Sequence, residues 1–157
     1  MQAKKFEVIY LMNRALKEAY RQAKYILFSG SEEILFKVGL HSNELDNLLV
    51  EHGVINAVFI TAYNPRSQIF SDEENKRQQI NLEKQIERAK YRYLKGASCS
   101  EDGLWPIEKS LLILDMPLSQ ANSLAISFKQ NAYLQITQGE KVALVFTFDD
   151  ISQKPIK

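Results

Sequence analysis

The sequence predicts an α+β domain in which one mixed, largely antiparallel sheet of five or six strands carries helices packed on it. Two observations favour this class. Short apolar runs rich in β-branched and aromatic residues alternate with amphipathic helical stretches. Near each end of the chain, a pair of such runs flanks a short glycine-containing loop, which is typical of a β-hairpin. Because hairpin strands are antiparallel, a purely parallel, doubly wound sheet is disfavoured.

The first half of the chain predicts a helix, a hairpin, a second helix and a central strand. Ser42 is a suitable N-cap for the second helix, and Gly53 is a suitable residue to end it. The longest apolar run follows directly and is β-branched, which indicates a strand buried on both faces. The four elements cover residues 5–19, 25–28 with 34–38, 42–53 and 54–62.

The second half predicts a long helix, a strand, a shorter helix and a second hairpin. Ser71 and Glu74 have the spacing of a capping box, and Gly96 predicts the end of the long helix just after Lys95. Ser119 is a suitable cap for the shorter helix. The strands are expected at residues 109–114, 132–136 and 142–148, and the polar tail 152–157 is expected to be frayed.

Length and composition predict one domain, residues 1–151, without disulfides. The 157 residues include 20 basic and 19 acidic side chains, and the resulting net charge of +1 disfavours nucleic acid as a partner. Cys99 is the single cysteine, which suits a reducing compartment. We find no apolar run typical of a signal peptide or of a membrane span, so we expect a soluble, cytoplasmic protein.

The best candidate for a ligand site is the strand-to-helix turn at residues 61–67, Thr-Ala-Tyr-Asn-Pro-Arg-Ser. Loops beyond the carboxyl end of a strand are common ligand sites, and the helix that starts near Asp72 directs free N–H groups towards this one. Thr61, Asn64 and Ser67 offer polar contacts, and Arg66 offers a clamp for an anion. The alternative is purely structural, because Asn-Pro sequences form turns.

Other polar side chains stand where a core or a solvated surface does not require them. Asn75 lies in the first helical turn after the loop, from which it either reaches back or faces water. Glu108 and Ser110 enter an apolar strand beside Trp105, where a carboxylate can have a raised pKa and serve as an acid or base, or can simply bind Arg66. Gln130 either satisfies buried backbone groups or lines a pocket.

Several other chemistries have weaker support. His41 and His52 flank a helix without the Cys, Asp or Glu neighbours of a metal site, so we expect no metal and no cofactor. Cys99 has no evident histidine partner for thiol catalysis. A basic stripe along the long helix is more typical of a solvated face than of a phosphate-binding surface; it comprises Arg77, Lys84, Arg88, Arg92 and Lys95.

Residues 59–67, followed by Glu74 and Asn75, resemble a family of small bacterial proteins known only as a domain of unknown function, DUF3293. The likeness extends from about residue 16 to about residue 146, and Tyr63 stands where the family often has Trp. The resemblance implies a bacterial, cytoplasmic protein and carries no activity. It singles out Thr61, Asn64, Pro65, Asn75, Glu108, Ser110 and Gln130.

Two functional hypotheses follow, and neither identifies a catalytic residue. The preferred one is a domain that binds a small polar or anionic ligand at the loop 61–67, with or without enzymatic activity. The alternative is a protein-interaction or regulatory module in which the polar motif is structural. If the side chains of Asn64, Glu108 and Gln130 point to different faces of the fold, the shared site of the first hypothesis does not exist.

Overall fold

The computed structural model describes residues 2–148, apart from the side chains at positions 2, 3, 6 and 9. The tail 152–157, predicted to be frayed, lies outside the described residues. Four α-helices and seven strands follow one another within the described range. In chain order they are α1 (Gln2–Gln22), β1 (Lys24–Ser29), β2 (Glu32–Phe36), α2 (Asn43–Glu51), β3 (Asn56–Thr61), α3 (Asp72–Arg88), β4 (Tyr93–Cys99), β5 (Glu108–Leu114), α4 (Leu118–Ser127), β6 (Ala132–Thr137) and β7 (Ala143–Phe146).

All seven strands belong to one sheet, in the order β2-β1-β4-β5-β3-β6-β7. Every neighbouring pair is antiparallel, and both predicted hairpins, β1–β2 and β6–β7, are present. The predicted class of helices on an antiparallel sheet is therefore confirmed. The predictions of a mixed sheet and of five or six strands were wrong.

The additional strand is β4, whose first three residues fall within the predicted long helix and whose remaining residues were not predicted as a strand. Helix α3 ends at Arg88 rather than near Lys95, because Lys90 takes the left-handed conformation (φ 63°). The N–H of Lys90 then donates to Glu87 O and that of Tyr91 to Ile86 O, which is a Schellman motif. The predicted glycine stop, Gly96, instead lies inside β4 opposite Ser110.

Strand β3 separates two hydrophobic cores, because its successive side chains alternate between the faces of the sheet. Ala57 and Phe59 face a core that includes Leu45, Leu48 and Leu49 of α2. Val58, Ile60 and the following Ala62 face a second core shared with α3 and α4. Helix α1 lies on the same side as α2, since its residues border Tyr25 and Phe59. The result is a layer of helices on each side of the sheet.

The basic stripe does not form as predicted. Arg92 and Lys95 lie beyond the end of α3, so they do not continue the line of Arg77, Lys84 and Arg88 along one helix. The Arg92 guanidinium donates to the backbone oxygen of His52 at 3.0 Å. In the described part of the chain, no helix is long and apolar enough to cross a bilayer.

Candidate functional site

The turn after β3 is organised around Asn64, which is 2% exposed and left-handed (φ 48°). Its backbone N–H donates to Asn75 Oδ1 at 2.8 Å. Its Oδ1 accepts hydrogen bonds from Asn75 Nδ2 at 2.8 Å and from the N–H of Phe70 at 2.9 Å. Asparagine tolerates the left-handed region better than most residues do. One side chain therefore fixes both the start of the loop and its return to α3.

Glu108 lies beside Asn64 because of the strand register. Thr61 at the end of β3 pairs with Ser110 of β5, so the first residue of β5 is next to the turn that follows β3. Glu108 Oε2 accepts a hydrogen bond from Asn64 Nδ2 at 2.8 Å and another from Trp105 Nε1 at 2.9 Å. Burial raises the pKa of the Glu108 carboxyl, and these two hydrogen bonds oppose that rise.

Gln130 reaches the same turn from α4. Helix α4 ends in a second Schellman motif, with Lys129 left-handed (φ 55°) and the Gln130 N–H donating to Ala125 O. This reversal directs the buried Gln130 side chain back, where Nε2 donates to Tyr63 O at 3.0 Å. The neighbouring Arg66 N–H donates to Lys129 O at 2.7 Å. The end of α4 therefore holds the loop 61–67 from the other side.

A cavity of about 400 Å³ lies between α1 and the sheet, directly against this network. Its volume is within the range of small-molecule sites. Leu16, Ala19 and Tyr20 of α1 border it on one side together with Ala23, which follows the helix, and β1, β3, β4, β5 and β6 contribute residues on the other. The loop between β4 and β5, which contains Trp105, closes one end.

Six of the eight predicted site residues line this cavity, and two do not. Asn64, Glu108 and Gln130 lie together, so the predicted cluster exists as a geometric feature. Arg66 is exposed and is not among the lining residues, and Asn75 lies behind Asn64 as its support. Glu108 does not bind Arg66, since its two hydrogen-bond partners are Asn64 and Trp105. The lining residues from the predicted set are Thr61, Asn64, Ser67, Glu108, Ser110 and Gln130.

Most polar atoms of the cluster are already used to hold the backbone. Thr61 Oγ1 donates to Lys109 O at 2.6 Å and accepts from the Tyr63 N–H at 3.0 Å. Ser67 Oγ accepts from Asn131 Nδ2 at 2.8 Å. Glu108 differs, because both of its donors reach Oε2 and no other described residue donates to Oε1. Glu108 lines the cavity, and one oxygen of its carboxylate accepts no hydrogen bond from the residues that the structure describes.

Sequence reasoning missed the contribution of α1. Tyr20 lines the cavity, and burial raises the pKa of its hydroxyl far above the usual value for tyrosine. Tyr25 donates its hydroxyl hydrogen to Tyr20 O at 3.0 Å. Leu16, Ala19 and Tyr20 follow the i, i+3, i+4 spacing of one helix face, so this spacing was a signal for the inward side of α1.

The N-terminus of α3 is a poor binding site for an anion. Ser71 Oγ accepts from the Glu74 N–H at 3.2 Å, which confirms the predicted N-cap. The first turn also contains Asp72, Glu73 and Glu74, whose negative charges oppose the partial positive charge of the helix end. His41, considered above as a metal ligand, is instead paired with Asp46 at 2.5 Å.

Comparison with known proteins shows similarity to one protein family over part of the chain. The family described as "Protein of unknown function (DUF3293)" matches residues 60–133, which confirms the resemblance over that segment. The matched segment runs from β3 to β6 and includes Asn64, Asn75, Glu108 and Gln130. No curated protein and no solved structure shows significant similarity to the chain.

Proposed function

We propose that this protein binds a small molecule in the cavity between α1 and the sheet. The observation that supports the proposal is the Glu108 carboxylate, which borders a cavity of about 400 Å³ with one oxygen unengaged by any described residue. A rigid wall with a few convergent polar groups is typical of ligand sites. In this proposal, Thr61, Ser67 and Ser110 add polar lining, while Asn64, Asn75 and Gln130 hold the wall. A cytoplasmic location and a bacterial origin stay predictions.

The lining argues against an anion, which the sequence analysis included among the candidate ligands. Among the described residues that line the cavity, none is Lys, Arg or His, whereas Asp102 and Glu108 both line it. Arg66, the predicted anion clamp, is not part of the lining. An anion entering the cavity would lose its hydration without gaining a positive partner there.

A thermal-shift screen against neutral, cationic and anionic metabolites tests binding directly. A ligand at 100 times its dissociation constant stabilises a protein by about 2.7 kcal/mol, which is a clear shift in melting temperature. Ser98 lines the cavity and is half-buried, so Ser98→Leu fills part of the space. Ser123→Leu, on the exposed face of α4, is the matched control. Binding should be lost in the first variant and kept in the second; a shift that survives in Ser98→Leu contradicts the proposed location.

The alternative, a protein-interaction or regulatory module, has its own supporting observation. Leu104 and Ile107 are 85% and 67% exposed on the loop before β5, and Ile69 is 65% exposed on the loop after β3. The Asn64–Glu108 hydrogen bond joins these two loops. If no metabolite shifts the melting temperature, Leu104→Ser and Ile107→Ser become the variants with which to test a protein contact at this surface.

A further inference from the structure

The charge balance of the cavity indicates what kind of ligand it takes. Glu108 is the more enclosed of the two acidic residues that line the cavity, and its Oε2 receives neutral donors from Asn64 and Trp105. Neutral hydrogen bonds leave the net negative charge uncompensated. Because an ionised carboxylate is costly in a partly dry environment, it favours a positively charged partner.

The second carboxylate, Asp102, is exposed to water, so its charge carries little of the desolvation cost that applies to Glu108. Its Oδ1 accepts from the Leu104 N–H at 3.0 Å. That backbone hydrogen bond lowers the pKa of the Asp102 carboxyl. Asp102 therefore adds negative charge at the margin of the cavity without competing with Glu108 for the ligand.

The remaining walls suit an organic cation rather than a hydrated metal ion. Aromatic residues surround the cavity, and the face of an aromatic ring attracts a cation while its carbon surface accepts an apolar body. Among the described residues, no group of three or more His, Cys, Asp or Glu is placed to hold a metal ion. The aromatic lining residues are Tyr20, Tyr25, Phe59, Tyr63 and Trp105. Tyr133 also borders the cavity, but it packs in the core shared with α4.

We infer that the ligand is an amine: an ammonium group donates to Glu108 Oε1, and an apolar body lies among the aromatic side chains towards α1. The inference rests on the proposed binding function and specifies its ligand class. It also predicts a linkage to protons. Since burial raises the pKa of the Glu108 carboxyl, an ammonium group that favours the ionised form makes amine binding stronger as the pH rises through that pKa.

The chain provides two native reporters for the test. Trp105 is the single tryptophan and Cys99 the single cysteine, and both line the cavity. We would titrate the protein with phenethylamine, 2-phenylethanol and 3-phenylpropanoate, which share a phenyl ring and a two-carbon spacer. Trp105 fluorescence gives the affinity, and slower labelling of Cys99 by a thiol reagent confirms that the probe occupies the cavity.

Phenethylamine should bind about tenfold more tightly than 2-phenylethanol, as expected for a charge-assisted hydrogen bond, and 3-phenylpropanoate should bind weakest. Glu108→Gln should remove the preference for the amine and its pH dependence, whereas Glu101→Gln, on the exposed loop after β4, should keep both. Asp102→Asn should keep most of the preference.

The outcomes separate the two proposals. If 2-phenylethanol binds as tightly as phenethylamine, or 3-phenylpropanoate binds more tightly, the cavity binds small molecules but the amine assignment is wrong. The assignment is also wrong if the amine preference survives in Glu108→Gln. If no probe perturbs Trp105 or protects Cys99, and the metabolite screen is equally silent, the binding function itself is contradicted.

Discussion

At the residue scale, Asn64 and Glu108 have different roles in the polar cluster. Asn64 is engaged by Asn75, Phe70 and Glu108, so its side chain is a structural link between α3, β5 and the loop after β3. Glu108 combines burial with an oxygen that no described residue engages, and for this reason the proposed function assigns the ligand contact to it. Their adjacent roles explain why a structural and a functional interpretation both had support in the sequence.

Removing the Asn64 side chain should destabilise the fold. Asn64→Ala leaves the Phe70 N–H and the Asn75 amide without their acceptor, and we expect a loss of about 2–4 kcal/mol in the free energy of unfolding. Asn64→Gly accepts the positive φ more easily, so it should cost up to about 1 kcal/mol less. Urea unfolding measures both. Asn81→Ala, exposed on α3, is the control, and an unchanged midpoint for Asn64→Ala would refute the structural role.

The titration of Glu108 should appear in the pH dependence of stability. Because burial raises the pKa of its carboxyl, the folded protein keeps a proton that the unfolded chain has already released. The free energy of unfolding therefore loses this contribution as the pH rises from the unfolded to the folded pKa, and stays lower above it. Glutamine does not titrate, and its oxygen can still accept from Asn64 and Trp105.

The stability of Glu108→Gln relative to the unsubstituted protein should thus increase as the pH rises from the pKa of glutamate in the unfolded chain through the raised pKa of folded Glu108. Urea unfolding at a series of pH values gives this difference. Glu101→Gln, whose side chain is exposed, is the matched control. A difference that decreases with rising pH would mean that the folded protein prefers the ionised form of Glu108.

At the element scale, the ends of the helices determine where the polar side chains arrive. Helices α2, α3 and α4 all end with a left-handed residue, but only α2 has glycine there, Gly53. Lys90 and Lys129 occupy the equivalent positions in α3 and α4. Because these helix ends carry no glycine, the sequence does not mark them. The predicted long helix therefore continued into the start of β4, and the direction of the Gln130 side chain could not be predicted.

Lys90 should be replaceable by glycine with a gain in stability. A left-handed lysine carries a backbone cost that glycine lacks, so Lys90→Gly should raise the free energy of unfolding by about 0.5–1 kcal/mol. Lys90→Ala keeps the cost and serves as the control, with a change within about 0.5 kcal/mol. Equal effects of the two substitutions would show that the side chain, rather than the backbone, decides the stability at this position.

The features of the fold that could be predicted depend on residues close together in sequence, whereas those that could not depend on contacts between distant segments. Local signals identified the Ser42 and Ser71 caps and both hairpins. The insertion of β4 between β1 and β5 depends on pairing between distant segments, which local periodicity does not encode. Likewise, the loop 61–67 and Glu108 could be singled out as polar residues in apolar surroundings. The cavity beside them could not, since it needs α1 and the sheet to be brought together.

At the scale of the whole molecule, the sheet order joins the two halves of the chain. Strand β1 pairs with β4, and β3 lies between β5 and β6, so neither half completes its own hydrogen-bond ladders. The middle of the sheet should therefore unfold as one cooperative unit. Strand β5, with neighbours on both sides and residues Leu111–Leu114 buried, is its centre.

Hydrogen exchange should display this hierarchy. The amides of residues 111–114 in β5 should exchange only through global unfolding, while those of β2, at the edge of the sheet, should exchange through local opening. Native-state exchange measured at increasing urea concentrations distinguishes the two, because global opening becomes faster with denaturant and local opening hardly changes. Strong urea dependence in β2 would indicate that the edge hairpin unfolds together with the centre.

The alternation along β3 has a practical consequence for engineering. Val58 and Ile60 pack among α3 and α4, whereas Phe59, between them in sequence, borders the cavity on the opposite side of the sheet. The sheet therefore separates the core packed by α3 and α4 from the side on which the cavity lies next to the core packed by α2. Substitutions that improve packing among α3, α4 and the sheet should therefore raise the melting temperature and leave the shape of the cavity unchanged.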